Sequence, residues 1–200
     1  MKENILIVAA HPDDDILGCG GFLAKNKDMY NFKVVFIAEG STARFENMYD
    51  HPEKLKETIE TRNQYAIDAL SLFNIKDISF YNLPCGRLDS ESIIDINKII
   101  EKEIKKFEPQ IILTHAEDDT NNDHRVVFRS IMMATRPGTF KNLSTVASFE
   151  VLSSSEWNYS KSFTPNYFEN LTLRELNLKW KALKCYKSET RRFPHPRSEE

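Results

Sequence analysis

The sequence is short of cysteine, glycine and tryptophan, with 3, 6 and 2 of them among 200 residues. Cys19, Cys85 and Cys185 are odd in number, far apart and without a CxxC pair. Neither a disulfide framework nor a cysteine-based zinc site is expected from them. Long apolar runs are also missing. The first candidate, Ile5–Ala10, is too short for a signal core or a membrane span, and Lys2-Glu3-Asn4 does not open a secretory leader. A surplus of positive charge is absent: 27 Lys and Arg face 30 Asp and Glu, a net charge of -3. A protein that coats nucleic acid needs clustered cations, so that class is excluded. A small anionic ligand needs only one or two local cations and stays compatible. Together these absences place the protein in the cytoplasm as an expectation.

What is present is ordinary globular material, 40% hydrophobic and 28% charged, in a length that suits one domain over residues 1–200. Strand patterns fall at Ile5–Ala10, Lys33–Glu39, Asp77–Asn82, Gln110–His115 and Thr145–Glu150. Their Ile, Val and Phe runs lack polar alternation, as for strands covered on both faces. Helical patterns lie between them: Leu17–Met29, Pro52–Phe73, a stretch after Asp89-Ser90-Glu91 rich in isoleucine, Asn122–Thr135 and Leu173–Lys187. This alternation predicts an α/β, Rossmann-like, doubly wound and mostly parallel sheet with helices on both faces. Ala43–His51 reads as a polar lid, and Arg191–Glu200, which has little periodicity, as a mobile tail.

Two clusters carry the chemistry. Ala10-His11-Pro12-Asp13-Asp14-Asp15 follows the first strand, and ligands of open α/β sheets bind beyond the carboxyl ends of strands. A solvated acidic turn is the plain alternative. The following Gly18-Cys19-Gly20-Gly21 is neither GxGxxG nor a P-loop, so these glycines are read as permitting close packing or a ligand's approach. The second cluster, His115 to Arg125, follows the fourth strand and opens the fourth helix. In the common doubly wound order strands one and four are neighbours, which brings His11 and Asp14 towards His124. Two imidazoles and a carboxylate form a catalytic zinc set with a position open for water. His124 equally suits a helix start capped by Asn122 or Asp123.

The paired clusters resemble the LmbE-like (PIG-L) family of zinc-dependent N-acetylglucosaminyl deacetylases. The cluster after strand one is similar to the family's Ala-His-Pro-Asp-Asp-Glu signature, with Asp15 where glutamate is usual. The cluster after strand four is similar to its Asp-x-His-x-Asp-His segment, with Asp119, Asp123 and His124 in register. Glu39-Gly40, the region of Arg62, Leu83-Pro84 and Thr135-Arg136-Pro137 extend the likeness. The resemblance implies that His11, Asp14 and His124 hold zinc, with iron or another divalent metal also suited. It implies Asp13 as general base, Asp123 as a residue that orients the site from behind, and Arg62 as a substrate-binding cation, which Arg44 of the lid would assist. The implied reaction removes the acetyl group of a small N-acetylated sugar, sugar nucleotide or glycoconjugate. A homo-oligomer is compatible with this reading.

Two residues depart from the pattern. Asn121 stands where the family usually has histidine. An amide donates a hydrogen bond but delivers no proton, so Asn121 is expected to hold the oxyanion while Asp13, or else His115 or His195, protonates the amine. Cys85 stands where an aspartate is common, which loosens any transfer of substrate preference. His195-Pro196-Arg197-Ser198 resembles a segment after which family members usually continue, so the native chain is expected to extend past Glu200.

Several residues keep two readings. His115 either bonds locally or lines the site, His51 marks a helix start, and His195 reads as surface. Arg62 could merely pair with Glu57 or Glu60 on its helix. Trp157, Tyr159, Phe163 and Tyr167 could pack a hairpin or stack on a sugar. Two other functions stay open: a nucleotide-binding Rossmann protein, for which Glu39 ending strand two is the best support, and an inactive metal-binding relative, for which it is Asn121.

Overall fold

The computed structural model describes residues 2–46 and 51–199. Five strands, β1 (Asn4–Ala9), β2 (Asn31–Ala38), β3 (Asp77–Leu83), β4 (Ile111–His115) and β5 (Thr145–Phe149), form one sheet in the order β3-β2-β1-β4-β5. Every pairing is parallel. β1 lies at the centre, and Ile5 to Ala10 are fully buried. Ile5, Ile7 and Ala9 face one apolar layer while Leu6, Val8 and Ala10 face the other. A strand covered on both sides has no polar face to show, hence its unbroken apolar run.

The helices α1 (Asp14–Asn26), α2 (Pro52–Ser71) and α5 (Leu173–Leu183) contribute to the first layer. α3 (Ile93–Phe107) and α4 (Asn122–Ala134) build the other. Along α3, Ile96, Ile100 and Ile104 are buried at four-residue spacing, one stripe of an amphipathic helix. No helix among the described residues is long and apolar enough to cross a membrane.

Strand boundaries agree with the sequence reading to within two residues. The first helix does not. It begins at Asp14, not Leu17, so Asp14 and Asp15 belong to its first turn, where carboxylates suit the partial positive charge of a helix start. The glycine question resolves towards packing. A Cβ on Gly18 would lie 2.3 Å from the Phe149 ring, and one on Gly21 2.4 Å from Leu171. The aromatic cluster forms no hairpin; Trp157 ends a single 3-10 turn, and Tyr159 and Tyr167 are exposed in irregular chain. The proposed lid is described only in part, as a 3-10 turn at Thr42–Arg44 and the following residues to Glu46; 47–50 lie outside the described residues.

Candidate active site

The strand order creates the site. β1 and β4 are neighbours while their crossovers run to opposite sides, so the carboxyl ends of both strands open into one crevice. The turn after β1 supplies His11, Asp13 and Asp14, all buried. Asp13 sits at φ +122°, ψ -30°, a conformation that costs a non-glycine residue on the order of 1–3 kcal/mol and is kept only where the surroundings enforce it. This kink separates its side chain from that of Asp14. The start of α4 supplies His124 and Asp123, both buried.

Three donor atoms converge. Asp14 Oδ2 lies 3.2 Å from His11 Nδ1 and 3.2 Å from His124 Nε2. Ligands about 2.1 Å from a tetrahedral ion are separated by about 3.4 Å, so this spacing fits a divalent metal. Each imidazole has a carboxylate at its other nitrogen. His11 Nε2 is 2.8 Å from Asp123 Oδ2. His124 Nδ1 is 3.1 Å from Asp119 Oδ2. Such pairs fix the ring and raise the basicity of the nitrogen left for the metal. Both ring nitrogens of His124 are buried without a hydrogen bond of good geometry; Nδ1 has the Asp119 carboxylate beside it, and Nε2 lies beside Asp14 Oδ2, as a ligand position would.

Another grouping, His11, Cys85 and Asp123, also comes close enough to hold an ion. The bonding of Asp123 argues against it: its oxygens already accept from Gly86 N, Leu88 N and His11.

The charges reinforce the first set. Burial disfavours the cation of His124, but Asp14 and Asp119 outweigh it and lift its pKa to about 9. Burial likewise opposes the His11 cation, and Asp123 and Asp14 raise it well above the ordinary value. Asp14 is driven well below the carboxylate range, because His124 and His11 overcome its desolvation. Asp13 is raised, with burial leading and Arg62 and Arg197 opposing. Asp15 rises to about 8 through burial and the Asp13 charge.

Asn121, and not Asn122 or Asp123, caps α4: its side-chain oxygen accepts from Asp123 N at 2.9 Å. The cap uses only the carbonyl oxygen, so the amide nitrogen is left over as a donor. His115 answers both of its readings. It is fully buried, its ring stacks on His124 at 3.9 Å, and its Nε2 accepts from Ala10 N at 2.7 Å. Burial and the His124 charge keep it neutral. With that lone pair committed to the backbone, His115 cannot carry a proton there to a leaving amine. His195 is half-buried and edge-on to Trp157, and its Nδ1 accepts from Arg197 N.

Arg62 does not pair with Glu57 or Glu60. It points inward from α2, 3.1 Å from Asp13 Oδ1 and 2.7 Å from Glu189 Oε1. Arg44 also reaches Glu189, at 2.6 Å. Gly40, at φ +73°, leaves the room this requires; a Cβ there would sit 2.5 Å from Arg62 Nε. Glu39 is unavailable to a ribose. Its carboxylate accepts from the backbone of Ser41, Thr42 and Cys85 and from the Thr42 hydroxyl. That removes the best support for a nucleotide site.

Three residues escaped the sequence reading as functional groups. Asp119 is one; the Ser154 hydroxyl, Ser155 Oγ at 2.7 Å and Asn121 N at 2.8 Å all donate to its carboxylate. Glu189 and Arg197 are the others. The tail expected to be mobile folds back, and Arg197 lies 3.2 Å from Asp13 Oδ2.

Comparison with known proteins identifies the family and the fold. An uncharacterized deacetylase, YaiS of Escherichia coli (strain K12), is 28% identical over 94% of this chain and 92% of its own length. Among solved structures, the N,N'-diacetylchitobiose deacetylase of Pyrococcus horikoshii matches with a TM-score of 0.73 and 20% identity, over 94% of this chain and 71% of that one. GalB, the 4-carboxy-2-hydroxymuconate hydratase of Pseudomonas putida KT2440, matches with a TM-score of 0.72 and 19% identity, over 94% and 80%. The fold thus hosts more than one chemistry. The model of the family PIG-L, described as GlcNAc-PI de-N-acetylase, matches residues 6–135 and so takes in every residue of the converging donor set, and this chain belongs to that family of deacetylases.

Proposed function

We propose that the protein is a zinc-dependent N-deacetylase that hydrolyses the acetamide of an N-acetylated amino sugar, sugar nucleotide or glycoconjugate. It works as a single cytoplasmic domain. The observation that supports this reading best is the convergence of His11 Nδ1, Asp14 Oδ2 and His124 Nε2, with a carboxylate at the far nitrogen of each ring. An ion held by these three atoms would polarise the acetyl carbonyl and acidify a water molecule.

The chain's own residues do the rest. Asp13 accepts the proton of the attacking water and passes it to the departing amine, which returns the carboxylate to its starting state. Asn121 Nδ2, at the start of α4, donates to the oxygen that gains negative charge, helped by the helix dipole. Asp119 and Asp123 hold the imidazoles in register. Arg44, half exposed, meets the substrate's hydroxyls or phosphate. Arg62 is buried and engaged with Asp13 and Glu189, and acts on the reaction through Asp13.

The test is release of a primary amine and acetate, with the purified protein loaded with zinc and, separately, with ferrous iron, on a panel of acetylated amino sugars. Zinc near one equivalent with amine release supports the proposal. Zinc binding without turnover on the whole panel favours the inactive relative.

A further inference from the structure

The pair of Arg62 and Glu189 is half of a closed ring. Asp13 Oδ1 faces Arg62 at 3.1 Å, and Arg62 faces Glu189 Oε1 at 2.7 Å. Arg197 then faces Glu189 Oε2 at 2.9 Å and Asp13 Oδ2 at 3.2 Å. The four residues come from the turn after β1, from α2, from the segment after α5 and from the tail. Their charges alternate around the ring, and Arg44 pairs with Glu189 from outside it at 2.6 Å. Arg197 is itself fixed: its Nε donates to Ser153 Oγ at 2.6 Å. The next two residues, Ser154 and Ser155, donate their hydroxyls to Asp119 behind His124.

A carboxylate gripped at one oxygen can still turn, because the terminal torsion of aspartate is broad. Gripped at both oxygens by two guanidinium groups, it cannot. Each oxygen offers two lone-pair directions, so the clamp leaves one on each free for a proton. We propose that Arg197 and Glu189 are positioning residues for Asp13: the C-terminal tail closes an alternating ring of four charges that fixes the plane of this carboxylate for proton transfer. The inference rests on the reading of Asp13 as general base. Neither residue touches the converging donor atoms directly; Arg197 acts on the reaction through Asp13, and Glu189 does so through the two arginines that grip it, while also pairing with Arg44.

Arg197→Ala and Arg197→Gln in the full metal-loaded chain test it, with amine release from N-acetylglucosamine and N,N'-diacetylchitobiose as the readout. kcat should fall about ten- to hundred-fold, the cost of a catalytic group displaced by about 1 Å, with KM and metal content unchanged. Guanidinium added at millimolar concentration should restore part of the rate of Arg197→Ala. A parent-like kcat, or a loss that guanidinium leaves untouched, overturns the proposal. Another readout needs no turnover. In the metal-free protein, the unfolding shifts of Arg197→Ala and Glu189→Gln should be non-additive in the double variant, as for members of one closed network. Additive shifts overturn the ring. A parent that cleaves no acetylated amino sugar defeats the functional reading instead, and the unfolding cycle still decides the ring.

Discussion

Two buried charge clusters among the described residues differ in what they leave undone. Towards the amino ends of β2 and β3, Lys33 is buried yet lies 2.5 Å from Asp77 Oδ1 and 3.3 Å from Glu103 Oε2, while Tyr81 donates to Glu103 at 2.6 Å. Every charge there has its counterpart. At the carboxyl ends of β1 and β4, two imidazoles converge on a single carboxylate oxygen, and His124 Nε2 has no hydrogen bond. Both clusters bear the cost of burying charge. In the first cluster the one oxygen without a hydrogen bond, Glu103 Oε2, still faces the Lys33 ammonium; at the carboxyl ends the unbonded atom, His124 Nε2, sits beside a carboxylate oxygen and a second imidazole, a donor set that a metal can use.

That contrast can be broken in several ways. The largest effect is expected from Asp14→Ala, which removes the oxygen shared by both imidazoles; metal content by atomic absorption should drop to background together with turnover. Asp13→Asn should lower kcat by about 10²-fold or more at unchanged metal stoichiometry; loss of the metal would move Asp13 into the ligand set. Asn121 has two separable duties. Asn121→Asp keeps the oxygen that caps α4 but loses the donor, so kcat should fall about 10²-fold with the melting temperature held. Asn121→Ala should lose both, the cap being worth about 1 kcal/mol.

The satisfied cluster should respond in the opposite manner. Lys33→Met strands Glu103 in the interior and should cost about 3–5 kcal/mol in a denaturant titration, with kcat per folded molecule unchanged. The smallest effect is one of pH. His124 has a pKa near 6.5 when free and about 9 in the metal-free fold. A raised folded-state pKa gives stability that is full below 6.5 and lost as pH climbs through about 9. Metal uptake must expel the same protons, so affinity should rise over the interval in which the metal-free protein loses stability. Calorimetry in buffers of different ionisation enthalpy would register the released protons, and parallel trends would refute the scheme.

The sequence made the architecture readable because one strand, β1, is buried on both faces and therefore written as an unbroken apolar run. From the strand alternation followed the neighbourhood of β1 and β4, and from that the meeting of His11 and Asp14 with His124. What stayed hidden were partnerships with no local signal. Arg62 invites a pairing with Glu57 or Glu60 on its own helix, although neither stands at the three- or four-residue spacing that faces it, and nothing in the spacing says that it turns inward to Asp13. Asp119 stands in register with the family segment, but the serine hydroxyls that hold it behind His124 come from residues 154 and 155, and nothing near it in the chain announces them. Pro12 followed by three aspartates signals a helix start near Asp14, since acidic residues favour a first turn; the glycines pull the expected boundary too far along.

The pairing of Asp13 with Arg197 spans 184 residues of chain, and this has a kinetic meaning. Closing so long a loop carries an entropic cost that near-neighbour contacts do not, so it belongs to the final stages of folding. The turn that bears His11, Asp13 and Asp14 can take shape with β1 and α1 while the tail is still unfolded. On a ribosome that order is enforced by synthesis: the strand that starts the site emerges long before the arginine that closes the clamp.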